Sequence, residues 1–302
     1  MIALLLLKVM IPIQALAVLS AKAPHAKVVC ASFPILKNLI QEASGDAFTV
    51  LTIVPKGKDP HSYQPTAKEW KDIKKCDLLV VLGLDLEPWS KQLALHFEEN
   101  KIFRIESLVV PIQVASWRDP HVWLSIEQLN RISDGLEIRF RDLSPQYSEL
   151  FKAKKLDFKN RLSQLKDKYQ EKFNSIPRAR RRVLVTHQAF LYLGKEFEIE
   201  FLAPTISSAS VGGGANLGAK TIALFLGQAK KNEIQKYFSV VGQKNWLTTQ
   251  MEKEHQLKYA GALYSDVIEE KNSSSASSAS LSIDSAEKMI DYNLKMILES
   301  LL

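Results

Sequence analysis

Residues 145–174 read PQYSELFKAKKLDFKNRLSQLKDKYQEKFN, and the architecture of the whole chain turns on them. Tyr147, Leu150, Phe151, Leu156, Phe158, Leu162, Leu165, Tyr169 and Phe173 are set in a Lys/Glu/Asp background with no internal glycine or proline. That is the pattern of one long amphipathic helix. At 1.5 Å per residue, about 30 residues reach roughly 45 Å, longer than a small lobe needs. The apolar positions do not hold a strict heptad, which argues against an independent coiled-coil arm. The stretch therefore reads as a spine between two lobes.

Both flanks support that division. On the amino side come an apolar run over 28–36 with an amphipathic continuation to Glu42, strand patterns at 48–54, 78–82 and 102–105, and helical patterns at 66–75 and 88–99. Alternating strands and helices predict a parallel sheet. On the carboxyl side, a strand at 182–186 delivers His187, followed by a helix at 189–197 and a strand at 200–202. Helices at 219–231 and 246–259, the apolar residues 262–264 leading to Asp266, and a closing helix at 285–302 complete it. A Ser/Ala tract at 272–280 reads as a surface loop. The expected fold is α/β, with two parallel-sheet lobes (24–144 and 178–302) joined by a single long backbone helix (145–177).

The 302 residues are 46% hydrophobic and 24% charged, which excludes a disordered or fibrous chain. The formal charge of +7 does not point to nucleic acid. Its densest cluster, Arg178, Arg180, Arg181 and Arg182, sits just past Pro177 at the end of the long helix, where cations favour the helix C-terminus. Residues 1–19 are almost entirely apolar, but Lys8 and Pro12 make them a poor membrane span. Ser20, Ala21 and Ala23 suit a signal-peptidase site, so residues 1–23 read as a signal peptide for export. Lys8 lies inside the apolar run and not before it, which keeps a retained anchor as the alternative. Cys30 and Cys76 each lie in an apolar, strand-like stretch and read as small core residues, and two positions alone do not establish a disulfide between them.

The tripeptide Asp-Pro-His occurs twice, as Asp59-Pro60-His61 and Asp119-Pro120-His121, with aromatic residues Tyr63 and Trp123 following. Proline fixes φ and makes each step a stiff turn, so each imidazole is aimed from a rigid loop. Such a ligand loses little freedom when a metal arrives, and the preceding aspartate is placed to orient it. His187, at a strand end, supplies a third imidazole of the same kind. Asp266 is a candidate fourth ligand, with Glu269 and Glu270 as competitors for that role. His25, His96 and His255 read as solvated. The segment Gly212-Gly213-Gly214-Ala215-Asn216-Leu217-Gly218-Ala219-Lys220-Thr221 nearly spells a phosphate loop, but Ala219 displaces the lysine. There is no Gly-x-Ser-x-Gly, His-Glu-x-x-His or Cys-x-x-Cys motif.

Further landmarks are Gly83-Leu84-Asp85-Leu86-Glu87-Pro88-Trp89, Thr186-His187-Gln188-Ala189-Phe190, Leu263-Tyr264-Ser265-Asp266 and a closing helix through Tyr292-Asn293. Together with the two Asp-Pro-His segments, their order and spacing resemble the periplasmic metal-binding (zinc/manganese) solute-binding proteins of ABC transporters, cluster A-I, from about residue 28 to 302. The resemblance implies two lobes on one rigid helix with a metal clamped between them, His61 and His121 from the first lobe and His187 and Asp266 from the second. It implies a monomeric periplasmic carrier and not an enzyme, with a membrane permease as partner. Three imidazoles and a carboxylate suit Zn²⁺ and tolerate Mn²⁺ or Fe²⁺. Manganese-selective relatives often carry Glu where this chain has His187. The His-rich loop of many zinc-specific relatives is missing, since Val114-Ala115-Ser116-Trp117-Arg118 precedes Asp119. Two other readings use the same residues: a zinc hydrolase, and a surface adhesin stapled by metal.

Overall fold

The computed structural model describes residues 26–95, 97–115, 117–204, 219–242, 251, 257–268 and 282–302. The signal segment, His25, His96, His255, Glu269, Glu270, residues 212–214 and the tract 272–280 lie outside the described residues. Strands β1 (Val28–Ala31), β2 (Thr49–Thr52), β3 (Leu78–Val81) and β4 (Ile102–Arg104) form a parallel sheet in the order β2-β1-β3-β4. All four residues of β3 are buried, as expected of an inner parallel strand covered on both faces. A short hairpin follows, β5 (Gln113–Val114) with β6 (Trp117–Arg118). Strands β7 (Arg182–Val185), β8 (Glu200–Leu202), β9 (Lys236–Val240) and β10 (Lys258–Leu263) form a second parallel sheet, in the order β10-β9-β7-β8. Read from its other edge this is the winding of the first sheet. In each lobe the first strand lies inside, with the second on one flank and the third and fourth on the other. Open sheets of this kind carry ligands beyond the carboxyl ends of their strands, where the winding reverses.

Helices α1 (Pro34–Ser44), α2 (Ala67–Ile73) and α3 (Ile126–Leu143) belong to the first lobe. The 27-residue α4 (Ser148–Asn174) is the spine, and it leads to α5 (Leu191–Phe197), α6 (Ala219–Lys231) and α7 (Ala286–Leu301) in the second lobe. The buried stripe of α4 is Phe151, Phe158, Leu162, Leu165, Tyr169 and Phe173. Its amino end joins an aromatic cluster with Phe48 and Phe140 of the first lobe. Its carboxyl end stacks Phe173 against Phe197 of the second. One contiguous core consequently runs through both lobes. At mid-helix, Arg161 pairs with Glu42 of α1 and Glu287 of α7, and Tyr169 donates to the Asp291 carboxylate at 2.8 Å.

Several local expectations are corrected. Residues 88–99 form no α-helix: Pro88–Leu95 and Glu99–Lys101 are 3₁₀ turns. The first is wound tightly from its start by an i to i+3 bond, Ser90 N–H to the Glu87 carbonyl (3.0 Å). Residues 246–250 and 252–256 of the helix expected at 246–259 lie outside the described residues, and from Lys258 the chain is β10, paired with β9. Gly261, at φ +132°, forms a bulge there, and a Cβ would stand 2.8 Å from Met296 Cε. Helix α3 and strand β9 were not anticipated.

Cys30 and Cys76 are buried, as expected of core residues, and are also joined by a disulfide with a sequence separation of 46. The bridge encloses α1, β2, the His61 loop and α2. Replacing both cysteines with alanine is expected to cost about 2–4 kcal/mol, because the unfolded chain regains the entropy of that loop. Urea unfolding of the oxidised protein and the double variant measures it; coincident midpoints would contradict the expectation.

Candidate metal centre

The two Asp-Pro-His segments fold alike. Asp59 Oδ1 accepts from the His61 N–H (2.9 Å), and Asp119 Oδ1 accepts from the His121 N–H (3.0 Å). In each case a carboxylate two residues upstream closes the turn that presents the imidazole. The second copy goes further: Asp119 Oδ1 also meets His121 Nδ1 at 2.6 Å. That contact fixes the ring so that Nε2 is the inward-facing atom. Asp59 spends its other oxygen on the Ser62 hydroxyl (3.1 Å) instead.

His187 leaves the carboxyl end of β7, and Asp266 follows β10. Asn293 of α7 holds Tyr264 from both sides, accepting from its N–H (2.9 Å) and donating to its carbonyl (2.8 Å). Ser265 donates its hydroxyl to Asp266 Oδ2 (2.6 Å), and its carbonyl accepts the Trp123 indole N–H (2.6 Å). The Asp266 loop of the second lobe is therefore pinned to a residue two positions after His121. The interlobe bond of the Trp123 indole to the Ser265 carbonyl has no signal in the sequence, because its partners lie 142 residues apart.

The four predicted residues converge. One ligand atom from each of His61, His121, His187 and Asp266 lies within 4.8 Å of all the others. The Nε2 atoms of His61 and His121 stand 3.6 and 3.2 Å from Asp266 Oδ1, and that of His187 stands 3.6 Å from Asp266 Oδ2. A tetrahedron with bonds of about 2.1 Å has edges of about 3.4 Å. The three Nε2 atoms and Asp266 Oδ1 are buried and have no hydrogen-bond partner beyond one another. Buried atoms left so ordinarily cost about 1–3 kcal/mol each, and a single cation among them satisfies all four.

The electrostatics are consistent with such a site. Burial opposes charge on His121, but Asp119 and then Asp266 outweigh it and lift the ring to about 10. Burial drives His187 down to about 3 despite Asp266. Burial pushes the Asp266 carboxyl up, yet the surrounding imidazoles, His121 first, hold it well below the usual carboxylate range.

Residues 29–299 match the model of the family described as zinc-uptake complex component A, periplasmic. The chain belongs to that family. Among individual relatives, it is 23% identical over 168 residues to the manganese-binding lipoprotein MntA of Halalkalibacterium halodurans, covering 55% of this chain and 56% of that one. It is 27% identical over 192 residues to the metal ABC transporter substrate-binding lipoprotein SsaB of Streptococcus sanguinis, covering 60% and 62%. The matched stretch thus spans less than two thirds of either relative. Among solved structures, the periplasmic zinc-binding protein TroA of Treponema pallidum superposes with a TM-score of 0.81 at 17% identity, covering 92% of this chain and 99% of that one. A Mn-bound periplasmic metal-binding protein from Candidatus Liberibacter asiaticus gives 0.78 at 20% identity, covering 91% and 100%. These likenesses establish the two-lobed fold.

In the metal-free protein, ¹⁵N NMR titration is expected to show His121 protonated through neutral pH and His187 neutral. The raised value of His121 means its ion pairs stabilise the fold fully below about 6.5 and are lost as the pH rises toward 10. The lowered value of His187 works the other way, removing stability as the pH falls from 6.5 toward 3. Asp119→Asn should bring the His121 midpoint down by about 1–3 units; an unmoved midpoint would contradict this account.

Proposed function

We propose that this chain is the substrate-binding component of an ABC transporter for a divalent transition metal. It captures Zn²⁺, and with lower preference Mn²⁺, on His61, His121, His187 and Asp266 and passes the ion to a membrane permease. The observation that carries this reading is the convergence of four buried ligand atoms within 4.8 Å of one another, contributed in pairs by the two lobes. Membership in a family described as periplasmic and concerned with zinc uptake supports the export and the cargo. A disulfide fits an oxidising compartment.

The donor set favours zinc, since imidazole and carboxylate in a tetrahedron match its preferences, and intrinsic affinity ranks it above manganese. A relative named for manganese and a fold neighbour named for zinc keep the class at divalent transition metals. Catalytic zinc usually retains an open position for water, whereas the four protein ligand atoms here are enough to fill a tetrahedral shell, which favours a carrier over a hydrolase. The continuous core across the spine favours capture by modest shifts of loops and lobes over a wide closure.

Equilibrium dialysis with metal analysis is expected to find one ion per chain (about 1:1, as a single closed shell requires). His61→Ala and His121→Ala should each weaken binding by roughly 100-fold or more. Calorimetry in buffers of differing ionisation enthalpy should show about one proton released per ion near neutral pH, drawn from His121. X-ray absorption showing a persistent metal-bound water beside three histidines would instead favour a hydrolase.

A further inference from the structure

Helix α5 begins four residues after His187 and reaches across to the first lobe with two side chains one turn apart. The Tyr192 hydroxyl donates to the Asp119 carbonyl (2.8 Å) and accepts from the Ile112 N–H (3.1 Å). Glu196 accepts from the N–H groups of Ile126 (3.0 Å) and Glu127 (2.9 Å) and from the Ser125 hydroxyl. These are the first two N–H groups of α3. The third, Gln128 N–H, is taken by the N-cap Ser125 (3.1 Å). A helix start has several N–H groups without intrahelical partners and carries partial positive charge. In α3 they are satisfied in part by a carboxylate from the other lobe.

The placement matters because α3 starts five residues after His121, and Tyr192 grips the carbonyl of the aspartate that orients that ring. Tyr192 and Glu196 thus tie the His121 segment to the His187 segment, and Trp123 ties it to the Asp266 loop. The His61 loop is braced differently, by bonds within its own lobe: Asp59 to His61 N–H, Tyr63 to Glu69 (2.6 Å), and a capping box between Thr66 and Glu69.

We propose that Tyr192 and Glu196 are positioning residues for metal capture, setting the separation of His121 and His187 before the ion arrives. The inference rests on the proposed metal-binding function. With the site preorganised, little ordering remains to be done on binding, and its loss appears mainly as faster release.

The test is Zn²⁺ affinity and chelator-driven release from the full chain for wild type, Tyr192→Phe and Glu196→Gln, with metal-free thermal stability measured in parallel. Each variant is expected to release Zn²⁺ roughly 10-fold faster, within the range seen when supporting partners of metal ligands are removed. The double variant should lose less than the product of the two, because both residues hold one helix. Variants that are less stable without metal yet match wild type in affinity and release would overturn the positioning role while leaving the metal site standing. Wild type that binds no Zn²⁺ would remove the functional reading itself, and this inference with it. Should Glu196→Gln fail to fold, Ser125→Ala removes one donor to the same carboxylate and must also speed release.

Discussion

The apolar stripe of α4 is the constraint on which the rest of the molecule depends. Six buried side chains from Phe151 to Phe173 pack into both lobes at once. Neither lobe can tilt far without opening a void along the helix, and voids in a packed core are costly. Charge reinforces the packing at the midpoint, where Arg161 lies between carboxylates from both lobes. Burial opposes its charge, but Glu42 and Glu287 outweigh it and raise its pKa further. The guanidinium is therefore a permanent cation holding α1 and α7 to the spine.

A rigid spine transfers the burden of precision to the loops at the carboxyl ends of the strands. Two sheets of the same winding bring the loops carrying His61, His121, His187 and Asp266 together. Each incoming segment is then trimmed by a local device: an Asx turn before His61 and His121, the Asn293 clamp on Tyr264, the Ser265 hydroxyl on Asp266. The same economy appears at Glu87, a buried carboxylate that accepts from Ser32 and from the N–H groups of Leu82 (2.9 Å) and Gly83 (3.1 Å). It fixes a turn in which Gly83, Leu84 and Asp85 all have positive φ. Loops of this kind keep their shape because their polar groups are used internally.

What could be read in the sequence follows from how local each signal is. The spine was legible because its apolar stripe and charged background are carried within one segment. Three of the four converging residues were legible because proline or a strand end marks them, and Asp266 because an apolar run points to it. Helix α3 carries a local signal, Ser125 followed by Ile126, Leu129, Ile132, Leu136 and Phe140 at helical spacing, but it is shorter than the stripe of α4. Strand β9, Lys236–Val240, is short, and its identity is settled by partners on both sides. The Cys30–Cys76 bridge, the Glu196 cap and the Trp123–Ser265 bond were not legible, since each joins residues that only the fold brings together.

The proposed capture of a metal also needs a metal-free state that is not too unfavourable. Three imidazoles facing one carboxylate in a buried site would be poorly satisfied if all were neutral. Asp119 and Asp266 raise the pKa of His121 and so favour its protonated form, with the ring 3.2 Å from Asp266 and Asp119 on its other side. That proton provides the positive charge which the ion provides in the loaded state. On that proposal, binding would exchange a proton for a dication, so Asp266 would face a positive neighbour in both states. Asp119 has two opposed effects in this exchange. Its negative charge makes the His121 ring a stronger donor to a metal, and it also stabilises the proton that competes for the same nitrogen. A neutral acceptor in its place would orient the ring but would raise neither basicity nor competition to the same extent. An aspartate at this position therefore suits a site that must both hold its ion and release it.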